Sequence, residues 1–164
     1  MKKQLLTEYE LFDDASEMTG EDLQLLQEAR SHTELSYAPY SKFHVSAAAR
    51  LSNGQVVFGA NQENASYPVG ICAERTLLSA ISSQYPTQSA TTIAISYKNE
   101  LGESLHPISP CGICRQTLTE YEQRWQHPIR LILSGQEGKV FVLESAKDLM
   151  PLSFSADDMK SSGV

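Results

Sequence analysis

The sequence predicts an α/β domain layered around a mixed sheet of five strands. From residue 19 onward, segments with helical apolar spacing alternate with short strand-like runs, the pattern of a layered α/β domain. An Asn53-Gly54 turn joins two strands as a hairpin, so the sheet cannot be wholly parallel. The run Ile93-Ala94-Ile95 is apolar at successive positions, as in a central strand covered on both faces.

The elements follow in order. Residues 1–18 form an acidic N-terminal extension with scattered apolar residues. A weak alternation at Tyr9-Glu10-Leu11 makes an edge strand or extended arm an alternative to a loosely ordered tail. Thr19-Gly20-Glu21-Asp22 resembles a capping box and opens a helix with Leu23, Leu26 and Ala29 on one face. Ser36 to Ser41, with Pro39, breaks that helix.

Residues 42–51 and 55–60 read as the two arms of the hairpin. A helix is predicted from Cys72 to about Ser83, on the spacing of Leu77, Leu78 and Ile81. Residues 91–97 read as the central strand and 111–124 as another helix. Strands over 129–134 and 139–143 flank Gly135-Gln136-Glu137-Gly138, and a short helix covers 145–150. Residues 19–164 are thus expected to make a single domain, a length sufficient for one core.

Composition narrows the function classes. Net charge is −7 with a sequence pI near 5.0, and no basic run is present, which argues against a nucleic-acid partner. No apolar run has membrane-spanning length, so no membrane partner is expected. Lys2 and Lys3 are followed by acidic residues rather than an apolar stretch, unlike a signal peptide. The three cysteines suit a reducing cytoplasm, where thiols are free to bind metal or act as nucleophiles.

The cysteines carry the chemistry. Cys72-Ala73-Glu74-Arg75 and Pro110-Cys111-Gly112-Ile113-Cys114 each open a predicted helix, where the N-terminal partial charge favours thiolate. Cys111 and Cys114 lie one turn apart and present both sulfurs to a common point. With Cys72 they make three protein ligands, and no fourth cysteine exists to close the site. Three ligands with an open position is the catalytic arrangement of zinc, and sulfur donors favour zinc over magnesium or calcium.

For Glu74 to face the same cavity as Cys72, Cys72 must sit at the helix cap, outside regular helical geometry. A carboxylate so placed serves as general base and then general acid. A Cys two residues before a non-ligand Glu, followed by Pro-Cys-x-x-Cys, is the spacing of the zinc deaminases. Isolated cysteines would be better explained as small buried hydrophobes or a redox pair; the joint pattern sets that aside. His32, His44, His106 and His127 stand in no ligand spacing and read as surface or packing residues. Trp125 reads as core or interface.

Beyond those two segments, the chain carries Tyr37-Ala38-Pro39-Tyr40-Ser41-Lys42-Phe43, Asn61-Gln62-Glu63-Asn64-Ala65-Ser66-Tyr67 and Leu149-Met150-Pro151-Leu152-Ser153-Phe154. Over residues 36–154 it resembles the small, homotetrameric, all-cysteine class of zinc cytidine deaminases. The resemblance implies an α/β/α layered fold, one zinc per subunit, a nucleoside substrate and a homotetramer with shared active sites. It implies deamination of cytidine and deoxycytidine, a step of pyrimidine salvage.

Residue by residue, it implies that Asn61 and Glu63 hold the ribose hydroxyls, Phe43 stacks on the pyrimidine and the Ala73 amide holds the base carbonyl. Tyr67 would help build the shared pocket, Phe154 would reach into a neighbour's site, and Arg75 would hydrogen-bond a cysteine sulfur. Three thiolates leave a divalent ion with a formal charge of −1, which Arg75 and the helix N-termini would offset.

The chain departs from the family pattern twice: Ser46 stands where Gly is usual, and residues 1–18 exceed the minimal chain. The rival readings are a deaminase of another aminopyrimidine nucleoside, a non-catalytic zinc-binding module and a nucleic-acid-editing deaminase. Asn61 and Glu63 argue against the first, Glu74 against the second and the net charge against the third.

Overall fold

The computed structural model describes residues 1–160. Its elements are β1 (Glu10–Phe12), α1 (Gly20–Ser31), β2 (Phe43–Leu51), β3 (Val56–Ala60), α2 (Ala73–Gln84), β4 (Ala90–Asn99), α3 (Gly112–Trp125), β5 (Arg130–Ser134) and β6 (Val140–Leu143). Short 3₁₀ turns include His32–Leu35, Tyr67–Val69 and Ala146–Leu149. The expected short helix over 145–150 is the last of these.

The sheet has six strands, not the expected five, in the order β1-β6-β5-β4-β2-β3. Only β4 and β5 pair in parallel, so the sheet is mixed. The added strand is β1, which pairs antiparallel with β6 through Glu10↔Val142, Leu11↔Phe141 and Phe12↔Val140. It is the edge strand that the weak alternation at Tyr9-Glu10-Leu11 left open as an alternative to a loose tail. The strand exists because β6 offers a free ladder, and its neighbourhood is closed by Tyr9 on Phe141, ring centroids 4.7 Å apart. Arg130 approaches Glu10, and Lys139 approaches Asp13.

Two apolar clusters cover the faces of the sheet. On one face Leu25, Leu26 and Ala29 of α1 pack on Ala48, Ala94, Ile132 and Val142. On the other, Leu77, Leu78 and Ile81 of α2 and Leu118 of α3 pack on Ala47, Ala49, Ile93 and Leu131. Alternate residues of β2 and β4 thus supply the two clusters, as the strand period requires. The small side chains of β2 let α2 come close. At Gly59 in β3 an added Cβ would stand 2.3 Å from the Leu77 nitrogen and 2.6 Å from the Ala73 oxygen. No helix among the described residues is long and apolar enough to cross a membrane.

The hairpin turns through Gly54 at φ 83°, a left-handed conformation that glycine adopts without steric cost. The capping box does not form. Thr19 is the N-cap of α1 but makes no side-chain cap bond. Asp22 instead accepts from Arg130 Nε at 3.0 Å and lies 3.6 Å from Arg50 Nη2, so two cations of the sheet claim the carboxylate. Glu122, buried on α3, accepts from the amides of Ile129 (2.7 Å) and Ala146 (2.8 Å) and ties that helix to the start of β5.

Candidate active site

Helices α2 and α3 begin side by side at one end of the sheet, and the cysteines lie at those beginnings. Cys72 is the N-cap of α2, with extended dihedrals (φ −74°, ψ 155°), as the Cys72–Glu74 spacing demands. Cys111 caps α3 in the same way, and Cys114 lies in its first turn. The Sγ atoms of Cys72 and Cys111 are 3.8 Å apart and those of Cys111 and Cys114 3.6 Å apart. All three lie within 4.8 Å of one another.

This set fits zinc. Sulfurs bound at about 2.3 Å around a tetrahedral ion stand about 3.8 Å apart. The donors are graded from buried Cys114 through half-buried Cys72 to exposed Cys111, which leaves one side of the cluster accessible. Two helix N-termini supply positive potential. The Cys72 thiol is lowered to about 6, chiefly by its hydrogen bond with Cys114, with a smaller contribution from the Arg75 charge. The Cys114 thiol is pushed up by that same bond, by burial and by the nearby Glu74 charge.

Glu74 is 4% exposed and lies within hydrogen-bonding reach of Cys114. Burial pushes its carboxyl above the usual range, partly offset by hydrogen bonds from its own amide and Cys114. Ala73, the first residue of α2, is buried, and its amide is among those a helix leaves without an intrahelical partner. Arg75 makes no side-chain hydrogen bond among the described residues and acts on Cys72 through charge.

Beside Cys72 opens a cavity of about 500 Å³, lined among others by Tyr40, Asn61, Glu63, Asn64 and Tyr67. Backbone bonds build it. The Tyr37 amide donates to Asn61 O (3.0 Å) and the Glu63 amide to Tyr37 O (2.8 Å), while Gln62 and Ile71 exchange bonds at 2.9 and 3.0 Å. Residues 61–63 are thereby held between Tyr37 and Ile71, directly before Cys72. The Glu63 carboxylate accepts from the amides of Tyr40 (3.0 Å) and Ser41 (3.2 Å). A Ser41 side-chain hydrogen bond, foremost, keeps its pKa below the usual range.

Asn61 is more occupied than its expected ribose role requires. Its Oδ1 accepts from Ser36 Oγ (2.6 Å) and the Val45 amide (2.8 Å), and its Nδ2 donates to Phe43 O (3.0 Å). One Nδ2 hydrogen is left for a ligand. Phe43 is half-buried and stacked on Tyr97. Tyr67 is exposed at the rim, edge-on to Tyr40.

Phe154 lies elsewhere, beside α3, where Gln116 donates to its carbonyl and its side chain is exposed. Ser46 is fully buried between Ala60 and Ser96, and its hydroxyl has no partner among the described residues. Sequence reasoning gave no role to Arg115, which donates to Pro110 O (2.8 Å) and Leu149 O (2.9 Å) and so braces the approach to Cys111. Its place directly after Cys114 was the available signal.

Residues 19–126 match the model of the cytidine and deoxycytidylate deaminase zinc-binding region. The chain is 35% identical to a cytidine deaminase of Halalkalibacterium halodurans, over 82% of this chain and 95% of that protein. It is 36% identical to a cytidine deaminase of Mycobacterium tuberculosis, over 76% of this chain and 82% of that one. A crystal structure of cytidine deaminase from Burkholderia pseudomallei superposes with a TM-score of 0.67 at 37% identity, covering 80% of this chain and 97% of that chain. The matched region spans both cysteine segments, and the fold brings their sulfurs into one cluster: this chain belongs to the cytidine and deoxycytidylate deaminase family.

Proposed function

We propose that this chain is a zinc-dependent hydrolase that converts cytidine and deoxycytidine to uridine and deoxyuridine with release of ammonia. The observation that carries the reading is Glu74, a buried carboxyl beside a three-cysteine cluster that opens onto a cavity. Zinc held by Cys72, Cys111 and Cys114 would supply a water whose pKa is brought toward neutral.

Glu74 moves the protons. Burial raises its carboxyl above the usual range, which favours the protonated form that a proton carrier passes through. It takes the proton that the attacking water loses, delivers it to ring N3 and carries a second to the departing amino group. The Ala73 amide, at the positive end of α2, donates to the base carbonyl oxygen. Arg75 offsets the surplus thiolate charge. Phe43 offers its ring to the pyrimidine.

In the cavity, the free Nδ2 hydrogen of Asn61 donates to a ribose hydroxyl and Glu63 accepts from one. Among the described residues no Lys or Arg lines the cavity, and Glu63 adds negative charge, which disfavours a 5′-phosphate. A nucleoside therefore suits the site better than a nucleotide. The exposed side chains of Tyr67 and Phe154 are in keeping with a homotetramer in which Phe154 reaches a neighbour's cavity and Tyr67 lines a shared one.

Residues 19–164 are read as the deaminase domain and residues 1–18 as an extension that lends β1 to the sheet. Three free thiols suit a cytoplasmic salvage enzyme. Ammonia release from cytidine, deoxycytidine and deoxycytidine monophosphate tests the reading. Turnover of both nucleosides and little of the nucleotide is expected; preference for the nucleotide would overturn it.

A further inference from the structure

Tyr97 is 1% exposed and is among the largest fully buried side chains of the protein. It pairs with Val45 across the β2–β4 ladder. Phe43, two residues before Val45, is therefore its diagonal neighbour on the same face of the sheet. The two rings stack, with centroids 4.8 Å apart and planes 17° from parallel. The Phe43 main chain is held independently by Asn61 Nδ2 at its carbonyl.

The Tyr97 hydroxyl meets His106 Nδ1 at 3.4 Å, with the two rings edge-on at 5.9 Å. His106 belongs to the segment between β4 and α3, which ends at Pro110 and Cys111. That segment is pinned at Ser104, whose Oγ accepts from the Asn99 amide (2.9 Å) and whose carbonyl accepts from the Glu137 amide (3.3 Å). Phenylalanine could fill the same core volume; a hydroxyl aimed at an imidazole on this segment goes beyond what packing demands.

We infer that Tyr97 is a positioning residue for substrate: it is the platform that sets the tilt of Phe43, and its contact with His106 locks that platform to the segment that delivers Cys111. The inference rests on the reading of Phe43 as the residue that stacks on the base.

The experiment measures KM and kcat for cytidine, with zinc content, in Tyr97→Phe, His106→Ala, the double variant and Phe43→Leu. Tyr97→Phe keeps the stack and removes only the hydroxyl; His106 is exposed, so its replacement leaves the core intact. Each single variant is expected to raise KM about threefold to tenfold, the worth of one neutral hydrogen bond, with kcat and zinc unchanged. The double variant should be no worse than either, because both remove one contact. Wild-type KM in both single variants, additive losses in the double variant, or a loss confined to kcat or zinc would overturn the inference. If Phe43→Leu raises KM while the other variants are silent, only the Tyr97 role fails. If Phe43→Leu is itself silent, the stacking reading falls and takes this inference with it.

Discussion

Cys72 and Cys111 are 39 residues apart in sequence, and their sulfurs lie 3.8 Å apart because each residue is the N-cap of its helix. A cap residue has extended dihedrals, so its side chain swings out past the helix end rather than along its flank. Two neighbouring helix starts therefore present sulfur to the same point, and Cys114, one turn in, completes the set.

Each cysteine should accordingly be needed for metal. Cys72→Ser and Cys111→Ser are expected to lose stoichiometric zinc after dialysis while keeping the far-ultraviolet circular dichroism of the fold. Metal analysis of the purified variants checks this. Full zinc in Cys72→Ser would remove Cys72 from the ligand set.

Asn61 holds three protein partners, so its loss should damage stability as well as binding. Asn61→Ala leaves the Val45 amide and the Phe43 carbonyl without their partner, at a cost of about 1–3 kcal/mol. Denaturant unfolding measures that cost, and KM for cytidine should rise in the same variant. A raised KM with unchanged stability would reduce Asn61 to a ligand contact alone.

Gly59 sets the distance between β3 and α2. A methyl group there would meet the backbone at Leu77 and Ala73, which cannot rotate away. Gly59→Ala should destabilise the protein by about 1–3 kcal/mol and displace the helix start that carries Cys72 and Glu74. Thermal unfolding and ammonia release should both fall, whereas Gly54→Ala, with open space at the hairpin turn, should affect stability alone.

Glu63 anchors the loop before Phe43 through the amides of Tyr40 and Ser41. Its folded pKa lies below the ordinary glutamate value of 4.5, so the anchor is intact above that value and is lost as pH falls through the lower folded one. The amide proton shifts of Tyr40 and Ser41, followed from neutral pH downward, should move together with a midpoint below 4.5. The transition should be absent in Glu63→Gln. A midpoint above 4.5 would contradict the anchoring.

Much of the site was legible because its chemistry is local. Cys72-Ala73-Glu74 and Pro110-Cys111-Gly112-Ile113-Cys114 put three thiols and a carboxyl within a few residues of two helix starts, and the helices begin where those segments predict. The long-range parts were less legible. Strand β1 was legible only as one alternative at Tyr9-Glu10-Leu11, because its pairing depends on β6, far along the chain. Asp22 had the right spacing for a capping box, yet Arg130 and Arg50, distant in sequence, outbid Thr19 for its neighbourhood. Tyr97 reads as an ordinary strand residue, and only the β2–β4 register places it under Phe43.

The central claim is that Glu74 carries protons beside a zinc held by three cysteines. Ammonia release from cytidine, measured for wild type and Glu74→Gln with zinc content determined on the same samples, tests it most directly. The account predicts stoichiometric zinc in both and a loss of turnover of at least about 10²-fold in the variant. Full turnover in Glu74→Gln would contradict it.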